Sequence, residues 1–420
     1  MINKPRGTED ILPAKTPLWQ HIENTAREIC SSYGYKEIRT PVFEDTSLFQ
    51  RGVGDTTDVV QKEMYTFEDK GGRSITLRPE GTASLVRSYI ENSLYADPQP
   101  TKLFYLISCY RYEKPQSGRL REFHQFGIEC FGGSSDATDA EIITLALSFF
   151  KKLGISGLKL RLNSIGCPVC KKDYNIKLKE YFEGHKDKLC KTCLERLEKN
   201  PMRIIDCKSE ICSEIAKDAP KMIDHLCDDC SEHINKTLKY LNSVGVEYEI
   251  DPNIVRGLDY YTRTVFEITS DALGAQSTVC GGGRYNGLVE ELGGKPTEGI
   301  GFAVGIERLA MIMEKQGLAD NFKSLSPEIF VCSIGDLADV ATQKLVYDLR
   351  AMGCYAERDL CSRSIKAQMK YANKLNAAYT VVLGDDEIES NSASLKNMET
   401  GETITTAVNA EDIYKVVHKR

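Results

Sequence analysis

No stretch of this 420-residue sequence approaches the roughly 20 consecutive apolar residues that a membrane-spanning helix needs. The N-terminal segment MINKPRGTEDILP also has no apolar core of the kind a secretory signal carries. Membrane insertion and export are therefore not expected, and a cytoplasmic location is. Positive charge is not in excess either: 54 Lys and Arg face 61 Asp and Glu, for a net charge of −7. With no global field to attract nucleic acid, any RNA contact has to come from local basic patches. Internal repeats and low-complexity tracts are missing, as is a G-x-x-x-x-G-K-[ST] phosphate loop. The glycines at 299, 301 and 305 are spaced G-x-G-x-x-x-G, one residue too long for a dinucleotide fingerprint. Two common ways of binding nucleotides are thereby excluded.

What is present describes an ordinary globular chain of two or three domains, with 41% hydrophobic and 27% charged residues. The fifteen cysteines, without an export signal, point to reduced thiols or metal ligands rather than a disulfide framework. Helical periodicity covers residues 15–33 (Leu18, Ile22, Ala26, Ile29, Cys30) and stops at Gly34, which leads into a strand around Ile38. Strands are predicted over 103–107 and 123–130, joined by a long polar loop with KPQSGR, and the pair carries Arg111, Glu113, Gln125 and Glu129 near its mouth. A buried helix is predicted over 140–153, ending at Gly154, and a strand over 158–164. Composition shifts from Cys167 to Cys230, where eight of the fifteen cysteines fall among many Lys and Glu. This stretch reads as an inserted, mostly helical subdomain. Strand signals return after Val246 in YEIDP, TVFEI and STVCGGG. A second break near Pro327 opens a small α/β domain with alternating strand and helix units.

Three separated stretches carry arginines suited to one polyphosphate site: Arg111, Arg256 and Arg308. Arg308 lies on the first turn of a helix, where helix polarity also favours phosphate. In TLRPEGT, Glu80 and Thr82 flank a glycine before an apolar helix. A carboxylate and a hydroxyl so placed could hold a ligand ammonium; the competing reading is simple capping, with Thr82 as the N-cap. Tyr261 and Tyr285 suit a polar aromatic ligand. Cys167, Cys170, Cys190 and Cys193 form C-x2-C-x19-C-x2-C, a spacing within the range of a structural zinc site, and Cys227 with Cys230 adds a further pair. The competing reading is reduced cysteines packing as small hydrophobes. Lys366, Lys370 and Lys374 recur on one helix face with Arg363 nearby. This is either a solvated face or, if nucleic acid binds, a phosphate-contacting one.

Taken together, the segments KPRGTEDILP, YGYKEIRTPVFE, YRYEKPQSGRLREFHQFGIE, RGLDYYTRTVFEI, CGGGRYNGL and GIGFAVGIERL resemble the histidyl-tRNA synthetase family of bacterial type over nearly the whole chain. The resemblance implies an α+β fold: a six-stranded antiparallel sheet flanked by helices in a catalytic domain over 1–325, a helical insertion at about 167–240, and an anticodon-binding α/β domain over 328–420. It implies a homodimer, with Pro41 at the interface, and a two-step reaction in which L-histidine and ATP, with Mg2+, give histidyl-adenylate before transfer to tRNA(His). Arg111 and Arg256 are then the catalytic cations at the α-phosphate, Arg256 standing where related enzymes use a metal. Arg119 and Arg308 take the outer phosphates, Glu113 reads the adenine amino group, and Phe123 stacks on the ring. Glu80, Thr82 and Gln125 hold the α-ammonium, while Glu129, Tyr261 and Tyr285 surround the imidazole. Lys114, Pro115 and Gln116 face the acceptor end of the tRNA, with lysine where the family commonly has arginine. No metal ligand is assigned to the reaction site. The rival reading is the non-catalytic regulatory subunit of ATP phosphoribosyltransferase, which normally lacks the C-terminal domain and signature residues that this chain has.

Overall fold

The computed structural model describes residues 1–54, 57, 59–207, 209–273, 278–322 and 324–418. The chain forms two compact units, Met1–Lys323 and Ser324–Arg420.

The first unit is organised by one large sheet, whose strands are β1 (Lys36–Glu37), β2 (Thr101–Tyr110), β3 (Glu122–Phe131), β4 (Leu158–Ser164), β5 (Glu249–Ile250), β6 (Thr262–Ser270), β7 (Thr278–Arg284) and β8 (Gly299–Gly305). In space they run β1-β2-β3-β8-β7-β6-β4-β5. The six central strands are antiparallel, as the sequence leads one to expect. The sheet is nevertheless mixed, because two-residue strands pair in parallel at its two edges, β1 with β2 and β5 with β4. These short additions occupy edges that would otherwise present unpaired N–H and C=O groups.

Side chains alternate between the two faces of the strands. On β2 and β6, Phe104 and Phe266 enter one core while Tyr105 and Val265 enter the other. The first core is closed by helices Thr16–Ser32, Asp136–Lys152 and Ile306–Lys315. Helix Asp136–Lys152 starts four residues before the predicted 140–153, because Ser135 accepts a hydrogen bond from the Ala137 N–H and Asp136 and Asp139 sit in the first turn. The second core brings helix Thr82–Glu91 and the insertion against the opposite face. The insertion is helical as predicted, with helices Pro168–Glu183, Lys191–Lys199, Glu210–Lys217 and Asp228–Ser243. A small sheet of Phe43–Asp45, Ser74–Leu77 and Tyr65–Glu68 stands apart from the large one.

The second unit has a five-stranded sheet in the order Ala356–Arg358, Ile329–Ser333, Tyr379–Leu383, Ala393–Asn397, Thr403–Thr406. Its first three strands are parallel, the arrangement expected of β-α-β units. The last two form an antiparallel hairpin that the sequence did not announce. Among the described residues, no helix is long and apolar enough to cross a membrane.

Candidate active site

Two adjoining cavities open over the centre of the large sheet. The first, of about 200 Å³, is lined by Arg111, Glu113, Arg119, Phe123, Arg256 and Arg308 among others. Arg111 follows the last residue of β2 and is fixed by its Nε, which donates to the Pro79 carbonyl at 2.8 Å. Its guanidinium lies 5.3 Å from the centre of the Phe123 ring. Arg119, on the loop between β2 and β3, donates to Glu113 at 3.2 Å. Arg308 reaches across from helix Ile306–Lys315, donating through Nη1 to the Thr278 carbonyl and through Nε to the Gly118 carbonyl at 3.3 Å. Burial and the neighbouring Arg119 lower its pKa, so an incoming anion would relieve a real repulsion.

Arg256 is the most constrained of the four. Its Nη1 donates to Glu267, and its guanidinium carbon is 5.6 Å from the centre of the Tyr261 ring. Burial works against its charge, but Tyr261 and Glu267 outweigh that and hold the pKa above the ordinary value. Its Nε is buried without a hydrogen-bond partner, which leaves one directed donor for a ligand.

The second cavity, of about 170 Å³, shares Arg111, Gln125 and Arg256 with the first. At its base the buried carboxylate of Glu129 accepts from the Thr82 hydroxyl at 2.6 Å and the Tyr285 hydroxyl at 2.5 Å. Burial pushes its pKa up to about 8, against the pull of those two donors. Glu80 is buried too, and burial likewise raises its pKa. Its two oxygens accept the backbone N–H groups of Thr82 and Ala83, both at 2.8 Å. Here the capping reading needs correction. Gly81 is the N-cap residue, Glu80 supplies the capping carboxylate, and Thr82 is already helical, which frees its hydroxyl for Glu129. Tyr260, Tyr261 and Tyr285 form an aromatic wall, and the buried Tyr105 hydroxyl has no partner.

Glycines bring backbone close to both cavities, Gly281 lining the two of them and Gly301 the second. A Cβ on Gly281 would lie 2.2 Å from Arg256 Nη2, and one on Gly301 would lie 2.0 Å from Glu129 Oε2. At Gly301 the Ile128 carbonyl would also lie 2.2 Å away, so glycine is required there, whereas at Gly281 a Cβ would displace the Arg256 guanidinium.

All the predicted phosphate, adenine and amino-acid residues thus line one or both cavities. Lys114 and Gln116 do not; they are exposed on the loop between β2 and β3. Sequence reasoning missed Glu267 as the partner of Arg256, and Glu307, which accepts the His124 N–H at 2.9 Å and fixes the start of β3. It also missed Tyr105 and Tyr260. Alternation along β2 could have aimed Tyr105 at the site once Phe104 was assigned to the core. The cysteines converge differently from the predicted set: Cys167 and Cys170 meet Cys227 and Cys230, whereas Cys190 and Cys193 meet Cys207 and Cys212. The spacing rule paired neighbours in sequence, but helix Pro168–Glu183 carries the chain away before Cys190, and the chain returns only at Cys227.

The family model described as "Histidyl-tRNA synthetase" matches residues 7–168 and 188–309. The chain belongs to the histidyl-tRNA synthetase family. Residues 328–420 match the anticodon-binding domain model that accompanies it. A histidine--tRNA ligase from Acetivibrio thermocellus is 60% identical over 398 residues, covering 95% of each chain. That of Caldanaerobacter subterraneus subsp. tengcongensis is 55% identical over 413 residues, covering 98% of each. Among solved structures, apo histidyl-tRNA synthetase of S. aureus superposes with a TM-score of 0.82 at 41% identity, covering 99% of each chain. The arginine-lined and tyrosine-lined cavities lie in the unit that the synthetase model matches.

Proposed function

We propose that the protein is a class II aminoacyl-tRNA synthetase that joins L-histidine to tRNA(His) through histidyl-adenylate. The observation that carries this is the junction of the two cavities, where Arg111 and Arg256 face both a cationic chamber and a chamber ending in Glu129. Histidine placed with its ring toward Glu129 and its carboxylate toward the junction meets the α-phosphate of ATP between these two guanidinium groups. Attack of the carboxylate oxygen on that phosphorus forms the acyl–phosphate bond and expels pyrophosphate. Because negative charge builds on the phosphoryl oxygens, fixed cations and alignment supply the catalysis. Glu113 and Phe123 receive the adenine, and Arg119 and Arg308 the outer phosphates. Each nearby carboxylate is already held, Glu113 and Glu267 by arginines and Glu307 by His124. That donor set favours magnesium entering as part of the MgATP substrate.

Glu80, Thr82 and Gln125 take the α-ammonium, and Glu129, Tyr261 and Tyr285 the imidazole. A site with polar partners for both ring nitrogens rejects analogues that leave those partners unpaired. Lys114, Pro115 and Gln116 meet the acceptor end, and the unit after residue 328 reads the anticodon. There Lys366, Lys370 and Lys374 stand exposed on helix Ile365–Lys374, available to phosphates. Homodimer formation through the Pro41 segment is supported by the exposed Val42 next to it and by the exposed Phe43 and Phe67 on the small sheet. A cytoplasmic location follows from the role in translation. The regulatory-subunit alternative is disfavoured by the intact arginine set, the C-terminal unit and the full-length likeness to ligases.

Exchange of pyrophosphate into ATP, assayed with all twenty amino acids, tests this reading. Histidine alone should support exchange; a folded protein that exchanges with none refutes it.

The protonation of Glu129 gives a further expectation. Below about pH 8 its carboxyl holds a proton, and above about pH 6.5 the free histidine ring is neutral, so the complex keeps one proton between them without uptake or release. Above pH 8 binding must take up a proton, and affinity falls; below pH 6.5 it must release one, and affinity falls again. Histidine affinity should therefore peak between these limits, and Glu129→Gln should flatten the alkaline limb in a calorimetric titration across pH. An unchanged alkaline limb would assign it to another group.

A further inference from the structure

We propose that the insertion is built on two structural zinc ions, one held by Cys167, Cys170, Cys227 and Cys230 and the other by Cys190, Cys193, Cys207 and Cys212, and that both steady the segment 256–261 of the active site. The zinc assignment stands on geometry alone; the link to the site rests on the function proposed above.

Within each quartet all four sulfurs lie within 4.8 Å of one another. The Sγ separations are 3.7 Å for Cys167–Cys170, 3.9 Å for Cys167–Cys227 and 3.8 Å for Cys190–Cys207. Four thiolates arranged tetrahedrally around zinc at about 2.3 Å have edges of about 3.8 Å. A disulfide needs sulfurs about 2.05 Å apart, and all these cysteines are free thiols. Thiols packing merely as small hydrophobes have no reason to converge in fours, twice, from segments as far apart as Cys167 and Cys227, 60 residues.

The surroundings suit thiolate charge. Cys167, Cys190 and Cys227 each stand immediately before a helix, at the positive end of its dipole. Backbone N–H groups donate to sulfur from Cys227 to Cys170 at 3.1 Å, from Cys190 to Cys212 at 3.2 Å and from Ser209 to Cys207 at 3.5 Å. Such donors orient metal ligands from the outer shell. A metal is a common way to hold so small a helical unit together.

Each quartet is also coupled to the catalytic loop. Lys171, next to Cys170, donates to the Tyr261 carbonyl at 2.5 Å. Between Cys193 and Cys207, Arg203 donates to the Arg256 carbonyl at 2.9 Å and Asn200 to the Asp259 side chain at 3.2 Å. The first quartet thus holds the Tyr261 end of the segment and the second the Arg256 end.

The test is elemental analysis of the full-length protein purified without chelator, followed by cobalt exchange and absorption spectroscopy. Two zinc ions per chain and a tetrahedral thiolate–cobalt spectrum are expected. Cys230→Ser and Cys193→Ser should each lose one ion and keep the other. Chelator treatment should expose thiols to a disulfide reagent and lower histidine-dependent exchange at least tenfold, with recovery on adding zinc. Native protein with no zinc or with iron in its place, or a Cys230→Ser or Cys193→Ser variant that folds and keeps both ions, would overturn the assignment without reference to activity. Two zinc ions whose removal leaves exchange unchanged would overturn the link to the site. Two zinc ions in a protein that exchanges with no amino acid would instead count against the function proposed above.

Discussion

Arg256→Ala is expected to lower histidine-dependent pyrophosphate exchange by two to three orders of magnitude, equivalent to about 2.7–4 kcal/mol of lost transition-state stabilisation. Arg256 lines both cavities and keeps a buried, unpartnered Nε. Removing it does more than delete one cation. Glu267 would keep only the Thr278 hydroxyl, at 2.8 Å, so an unbalanced carboxylate would face the incoming phosphates. For that reason Arg256→Lys should recover little: an ammonium cannot hold Glu267 and a phosphoryl oxygen with the same planar fork. Exchange kinetics with saturating histidine and ATP separate the catalytic loss from weaker binding, and a near-normal kcat would remove Arg256 from the catalytic role.

The largest effect on stability should come from Asp139→Ala, on the opposite face of the same sheet. Arg284 and Asp139 are both completely buried, with Arg284 Nε donating to Asp139 at 2.7 Å and its two Nη groups reaching the carbonyls of Gly133 and Ser135. His233, from the helix that returns from the insertion, approaches the second Asp139 oxygen at 3.0 Å. Burial opposes charge on Asp139, but His233 and Arg284 prevail and hold its pKa below the usual carboxylate range. Taking the carboxylate away leaves the buried guanidinium with the longer, 3.5 Å contact to the part-exposed Glu298 in place of its close partner, at a cost of about 3–5 kcal/mol. The single tryptophan, Trp19, is buried in the first unit, so its fluorescence in a urea titration reports this loss directly. The double variant Asp139→Leu with Arg284→Met should recover much of the stability, since no charge is then stranded. A loss below about 1 kcal/mol for Asp139→Ala would show that water or Glu298 compensates the arginine.

Those two arginines mark the boundary of what the sequence disclosed. The place of Arg256 at a cavity was legible because its segment resembles a family signature and the strands around it have clear period-two patterns. β4 matches its predicted range, and β2 and β3 extend theirs by three residues or fewer at each end. Arg284 adjoins Tyr285 in the same signature, yet it points away from the site, because neighbours on a strand face opposite sides. Its partner is 145 residues distant, and nothing local announces such a pairing. Glu307 was hidden for the same reason, since it acts through His124, 183 residues away; Glu267 lies only 11 residues after Arg256, and there the missing information was the fold of the segment that brings the two together. The cysteine quartets show the limit most plainly, since spacing identifies pairs but only the path of the intervening helices decides which pairs meet.

The glycines at the cavities have a further consequence, for how the site can change over evolutionary time. In the proposed site a ligand would meet backbone where it lies nearest these glycines, and an added methyl group at Gly281 or Gly301 would collide with Arg256 or Glu129. Single substitutions there can close the chamber but cannot give it a new lining. A descendant that accepted a different amino acid would have to be remade from its walls, at Thr82, Tyr261 or Tyr285. The most deeply set positions of the fold therefore fix the depth of the chamber and leave its chemistry to the rim.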